Sequence, residues 1–216
     1  MFCRKSLLAV ILLFLLLVGC AGTPVRPALK ENTSIPSGKI EGNQFIGIRY
    51  PFTVSAPPNW KMTTEFPDFM EALGYDRPSP NDKEQTELYI YDPRTESIIS
   101  FDFTPAGRYA TFDQKSIEWL VNAATDSLKS EVQKDYGWIK VDVSPTEAIS
   151  LKGVQFAAKK YATYTVKGVK REQGWTYGFT EPYQIFILYT IFDKEGANDR
   201  EDIRKILDSF EVVLKK

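Results

Sequence analysis

Residues 184–192 read QIFILYTIF, apolar on both faces of an extended chain. A strand without a polar face belongs in the middle of a sheet, with a layer packed on each side. The rest of the domain is read outward from that requirement. Upstream, Trp175, Tyr177 and Phe179 alternate along another strand, and residues 154–166 form a long one. Ala157, Ala158 and Ala162 in the long strand leave room for a helix to press close. Lys152-Gly153 and Lys167-Gly168 read as turns. Downstream, Ile203, Ile206, Leu207 and Phe210 form the stripe of a closing helix. Asn198 followed by Glu201 predicts a capping box at its start.

Farther from the centre, residues 86–91 and 98–103 predict an antiparallel hairpin around Asp92-Pro93-Arg94-Thr95. Ile99, Phe101 and Phe103 face one side of it, and Ser100 and Asp102 the other. The helix signal is clearest where Ile117, Leu120, Val121, Ala124, Leu128 and Val132 recur, with Asp113 as N-cap and Gly137 as stop. Residues 138–143 and 147–151 continue as strand, broken at Pro145. Two short strands flank Pro51 near residue 50. Residues 64–85 are irregular, with one helical turn near 69–73, and read as a surface loop. The expected class is α+β, a central antiparallel sheet sandwiched by helices.

Tyr50-Pro51-Phe52, Pro58-Asn59-Trp60, the mid-chain amphipathic helix, the long apolar strand and the closing Ile206-Leu207-Asp208-Ser209-Phe210 together resemble the PsbP-like domain. The similarity spans residues 45–214. It implies an α/β/α arrangement, and members of that family mostly bind proteins or assist assembly. The matching positions shape the fold and mark no binding site, so photosynthetic partners do not carry over.

The N-terminus has a different character. Arg4 and Lys5 precede twelve consecutive apolar residues, 7–18, LLAVILLFLLLV. A helix of that length reaches about 18 Å, short of the ~30 Å hydrocarbon core, so the run reads as a signal-peptide segment. It ends in Leu17-Val18-Gly19-Cys20, which resembles the lipobox of bacterial lipoproteins. The resemblance implies cleavage after Gly19, a diacylglyceryl thioether on Cys20 and an acylated amine. Several acyl chains together anchor a protein stably. Ala21, where inner-membrane lipoproteins of Gram-negative bacteria usually carry Asp, implies the outer membrane, facing the periplasm. Residues 20–43 then read as a lipidated flexible tether without periodicity, and 44–216 as the folded domain.

Cleavage would remove Arg4 and Lys5 and no acid, moving the net charge from −1 to −3. Such a balance leaves no electrostatic footprint for nucleic acid. The chain has no histidine, and its two cysteines are Cys3 and Cys20, so no thiol remains in the domain. Ser-His and Cys-His nucleophile pairs and His- or Cys-based zinc sites are thereby excluded. No G-x-S-x-G, S-x-x-K or glycine-rich phosphate loop occurs. The expectation is a protein that is not an enzyme and has no cofactor.

Four groups stand as candidate sites. Trp175, Tyr177, Phe179 and Tyr183 either line a ligand or partner surface or pack in the core. Lys167, Lys170 and Arg171 touch lipid headgroups or peptidoglycan carboxylates, or form a solvated hairpin end. The acidic loop 193–199 suits a turn and helix cap better than a metal, because its glycine comes too early for a calcium loop. Glu65, Asp68 and Glu71 would serve glycoside hydrolysis only if two of them faced each other. The leading expectation is a membrane-anchored envelope lipoprotein that binds a protein partner or assists assembly. A small-ligand or lipid-binding domain comes second, and a carboxylate-based hydrolase of envelope glycans third.

Overall fold

The computed structural model describes residues 32–73, 75–78, 86–108, 110–194 and 197–214. The apolar run, the Leu17-Val18-Gly19-Cys20 stretch and lipidation at Cys20 lie outside the described residues, as do Glu195 and Gly196 of the acidic loop. The description concerns the compact unit Leu29–Ala106 with Thr111–Lys216.

The strands are β1 (Gly38–Glu41), β2 (Gln44–Gly47), β3 (Phe52–Ser55), β4 (Lys61–Thr63), β5 (Thr86–Tyr91), β6 (Ile98–Pro105), β7 (Val141–Val143), β8 (Glu147–Ala148), β9 (Phe156–Val166), β10 (Val169–Thr180), β11 (Tyr183–Phe192) and β12 (Glu211–Val212). The helices are α1 (Asp68–Ala72), α2 (Gln114–Tyr136) and α3 (Asp199–Ser209). The large sheet runs β4-β5-β6-β11-β10-β9-β7, with β8 paired to β9, and the small one β1-β2-β3-β12. Every named strand pairing is antiparallel.

β11 sits at the centre of the large sheet, as its two apolar faces require. Ile185, Ile187 and Ile191 point into one core with Phe45, Phe52 and Val54 of the small sheet and Ile203, Ile206 and Phe210 at the closing helix. Phe186 and Leu188 point to the opposite layer, where Ile117, Val121, Leu128 and Val132 of α2 pack on Ala158 and Ala162 of β9. Ala158 and Ala162 stand where bulk would hold the helix away, whereas Ala157, also expected to face it, points into the opposite core. Trp175 Nε1 donates to the Val121 carbonyl at 2.8 Å and pins β10 to α2.

The expected α+β class stands, with two corrections. Helices cover one face of the large sheet, but on the other face α3 shares the cover with a second sheet. Its strands are two to four residues long, too short for sequence alternation to reveal them as a sheet. Its first strand, β1, falls inside the segment 20–43 read as tether. Folded structure therefore begins before Gln44: Gly38 to Glu41 hydrogen-bond with β2 across a turn at Gly42, whose φ of 63° suits a residue without Cβ.

The Asp113 cap forms as expected. Its carboxylate accepts from the Ser116 amide at 2.7 Å, and Ser116 Oγ accepts from the Asp113 amide at 2.8 Å. The box expected at Asn198 does not form, because Glu201 is drawn to Arg204 at 2.7 Å and Asn198 makes no side-chain cap. Lys167-Gly168 is a two-residue hairpin turn with both φ values positive, 49° and 82°, matching strand twist. The strand expected over 138–143 is shorter: β7 starts at Val141, and Trp138 stands clear of it. Among the described residues no helix is long and apolar enough to cross a membrane.

Phe52 is the densest contact of the small-sheet core. Its ring lies 4.6 Å from Phe103, 5.0 Å from Phe45, 5.8 Å from Phe210 and 6.1 Å from Phe101. Phe52→Ala is expected to cost about 3–5 kcal/mol of unfolding free energy, read as a lower midpoint in urea denaturation at unchanged slope.

Candidate functional site

The two layers differ in how completely they cover the sheet. On the small-sheet side, polar ties close the edges. Arg49 Nη1 meets Glu87 Oε1 at 2.9 Å, with both side chains buried. Glu87 is the extra residue of a bulge between Thr86 and Leu88, which turns it toward Arg49. Asn59 donates to Asp92 at 3.1 Å, and Trp60 Nε1 donates to Asp202 at 3.2 Å. The Pro58-Asn59-Trp60 turn is thus fastened at once to the β5–β6 hairpin and to α3. Asp92 also takes the Arg94 guanidinium at 2.6 Å and the Arg94 amide at 2.8 Å. The Arg94 contact holds the Asp92 carboxyl below its ordinary 3.8, against the opposing effect of burial.

On the other side, α2 covers the β9–β10 end and the five-residue α1 packs near β5. The strip of β6, β11 and β10 between them is left as a groove of about 630 Å³, bordered by Thr86, Asp102, Thr104, Gln184, Phe186, Tyr177 and Leu120. A second hollow of about 410 Å³ shares Leu120, Tyr177 and Phe186 and runs on along α2 past Leu128, Leu188 and Gln173. Tyr177 and Phe186 form the shared floor, with ring centroids 4.7 Å apart. An apolar floor edged by a carboxylate, an amide and two hydroxyls has the chemistry of a binding groove, and its volume lies in the usual range of ligand sites.

The four aromatic candidates do not share one surface. Trp175 is 3% exposed and pinned to α2, with an edge on the second hollow beside Tyr177. Phe179 is equally buried and stacks on Phe112 at 4.5 Å. Tyr183 lies on the opposite core, edge-on to Tyr50 at 5.3 Å. Tyr177 is the one of the four at the heart of the groove. Its partners Phe186, Gln184 and Leu120 were missed because each reads as core or helix stripe; only the short reach of α1 and α2 leaves them open.

The acids are placed for structure. Arg77 bridges Glu71 at 2.6 Å and Asp68 at 2.8 Å, so these two carboxylates share one cation on the surface. Asp193 lies 4.0 Å from Lys170, and Asp199 accepts from Ser97 Oγ at 2.6 Å. Among the described residues no group of three or more acidic or thiol side chains is gathered to hold a metal. Glu172 is buried between Arg200, at 2.7 Å, and the Tyr189 hydroxyl, at 3.0 Å. Burial pushes the Tyr189 phenol far up, and the Glu172 charge adds to it. The Tyr189 ring lies against Gly174, where a Cβ would come within 2.2 Å of it.

No family model matches the chain, and no curated protein matches it. Solved structures of similar architecture include LpqN of Mycobacterium tuberculosis, described as involved in cell envelope biogenesis. It is 13% identical, over 76% of this chain and 84% of that one, with a TM-score of 0.49. The cyanobacterial PsbP (CyanoP) of Synechocystis sp. PCC 6803 is 13% identical over 88% of this chain and 100% of that one, at 0.48. A Bacteroides thetaiotaomicron protein is 10% identical over 82% and 50%, also at 0.48. Such identities and scores mark a loose likeness of architecture.

Because the Asp92 carboxyl is lowered in the folded state, its contribution is full above the ordinary 3.8 and is lost as pH falls through the folded value. Asp92→Asn is expected to cost about 1.5–3 kcal/mol at pH 7. Thermal melts taken from pH 7 down to pH 3 should show the variant and wild type converging in the acid.

Proposed function

We propose that this chain is an envelope lipoprotein, anchored through Cys20, whose folded domain binds a protein partner or assists assembly of a complex and catalyses no reaction. The observation that carries the reading is the apolar run 7–18 ending in Leu17-Val18-Gly19-Cys20, followed by an aperiodic polar segment ahead of β1. Its placement at the outer membrane, facing the periplasm, rests on Ala21. The groove supports binding: it is open along one side, as a segment of a protein partner requires. The buried acids Glu87, Asp92 and Glu172 are each held by an arginine, a structural use of charge.

Tyr177 and Phe186 at the groove floor also suit a small amphipathic or lipid-like ligand. A closed cavity would favour that reading more strongly than the open groove does.

The two are separated by crosslinking in intact cells, followed by affinity recovery and mass spectrometry, with wild type compared with Cys20→Ala. The expected result is a discrete envelope protein recovered from the anchored form and lost with Cys20→Ala. Tyr177→Ala is expected to weaken that recovery at least tenfold if the groove is the contact, since hot-spot aromatics contribute ~2 kcal/mol or more. Absence of any partner from both forms, with a small molecule co-purifying with the domain, would favour the ligand reading.

A further inference from the structure

One end of the large sheet carries an exposed basic and aromatic tip. The β9–β10 turn places Lys167 there, followed by exposed Val169 and Lys170. β7 pairs beside β9, with Val141 opposite Tyr164, so Lys140 leaves the sheet at the same end. The C-terminus of α2 is fixed to this end by Arg171, which donates to the Tyr136 hydroxyl at 3.0 Å and stacks on its ring at 5.1 Å. Lys134 lies in the last turn of α2, and Trp138 follows directly, 93% exposed.

An indole so exposed is packed into neither core. Trp119, the other prominent exposed tryptophan, is 67% exposed on α2, nineteen residues away along the chain. The charges around Trp138 are neutralised in part. Lys140 pairs with Asp142 at 2.8 Å and Lys170 is 4.0 Å from Asp193, while Asp135, Glu131 and Asp76 line one hollow with Lys134 and Arg171. Lys134 and Lys167 have no ion-pair partner among the described residues, and the Arg171 charge lies in stacking contacts with Tyr136 and Phe192. Tryptophan beside lysine suits the boundary between water and acyl chains: the ring takes the headgroup level, and the ammonium groups meet anionic phosphates. A peptidoglycan surface would use the lysines and leave the indole unexplained.

We propose that this tip, Trp138 with Lys134, Lys140, Lys167 and Lys170, is a second membrane contact that rests the domain on anionic phospholipid. The inference rests on the Cys20 anchor proposed above, which supplies a bilayer within reach. The chain between Cys20 and β1 spans up to about 60 Å when extended, so the tether permits the contact without enforcing it. Docking at the tip would fix the domain's orientation at the membrane.

The test uses the full lipidated chain reconstituted into vesicles of phosphatidylethanolamine and phosphatidylglycerol, with acyl-brominated lipid as the quencher of tryptophan fluorescence. Flotation reports the anchor, and quenching reports the tip. The expected result is that the chain floats, that part of its emission is quenched, and that Trp138→Phe removes the quenched part while Trp119→Phe does not. Lys134→Gln and Lys167→Gln should each lower the docked-to-undocked ratio about fivefold, leaving flotation unchanged. Replacing the anionic lipid with phosphatidylcholine should release the tip in the same way. A chain that floats with Trp138 unquenched overturns the tip contact and leaves the anchor standing. A chain that neither floats nor is quenched overturns both, and quenching that follows Trp119 overturns the tip as the contact.

Discussion

Burial of β11 on both faces is the constraint from which the remaining architecture follows. Ile185, Ile187 and Ile191 on one side and Phe186 and Leu188 on the other cannot all leave water unless two separate layers are built. The chain supplies them from distant segments: α2 from the middle, the small sheet from the beginning, α3 and β12 from the end. The strand also has to be interior, because an edge would leave one row of its amides and carbonyls unpaired, and β6 and β10 satisfy both rows. Sheet order and layer order are thus two consequences of one apolar stretch.

The two layers are finished differently, and that asymmetry makes a candidate site. The small-sheet side is closed by five phenylalanines in mutual contact and fastened at its rim by Arg49–Glu87, Asn59–Asp92 and Trp60–Asp202. Motifs that look like sequence markers of a domain family turn out to be these fasteners: Trp60 fills the core and reaches α3, and Ser209 of the closing helix exchanges hydrogen bonds with Ser55 of β3. On the opposite side α2 is long but covers only one end of the sheet, and α1 is a turn and a half. The groove floor is therefore apolar surface that secondary structure did not reach, lined by residues of core type without core burial.

The groove and the tip make different demands. The groove is shaped, with an aromatic floor and polar edge, and selects by fit. The tip carries one exposed indole among exposed lysines and suits a fluid surface that adjusts to it. Both lie on the α2 side or at its end, and at the tip Arg171 ties β10 to the last turn of the helix.

Much of this was legible in the residues themselves. Period and composition located β11, the β5–β6 hairpin, the helix from Asp113 to Gly137 and the Lys167-Gly168 turn, because each depends on local conformational preference or on one element's own apolar face. The apolar run closing at Cys20 and the missing histidines are likewise sequence properties. Tertiary structure alone decided the rest. β1, β2, β3 and β12 are too short to carry a period, and they become a sheet only by pairing with one another and packing on β11. Asn198 fails as a side-chain cap because Glu201 finds Arg204 and Asp199 finds Ser97, competition between partners that sequence spacing does not express. Trp175, Tyr177, Phe179 and Tyr183 look alike in sequence and meet four fates, since what distinguishes them is the layer each one faces and how far that layer extends.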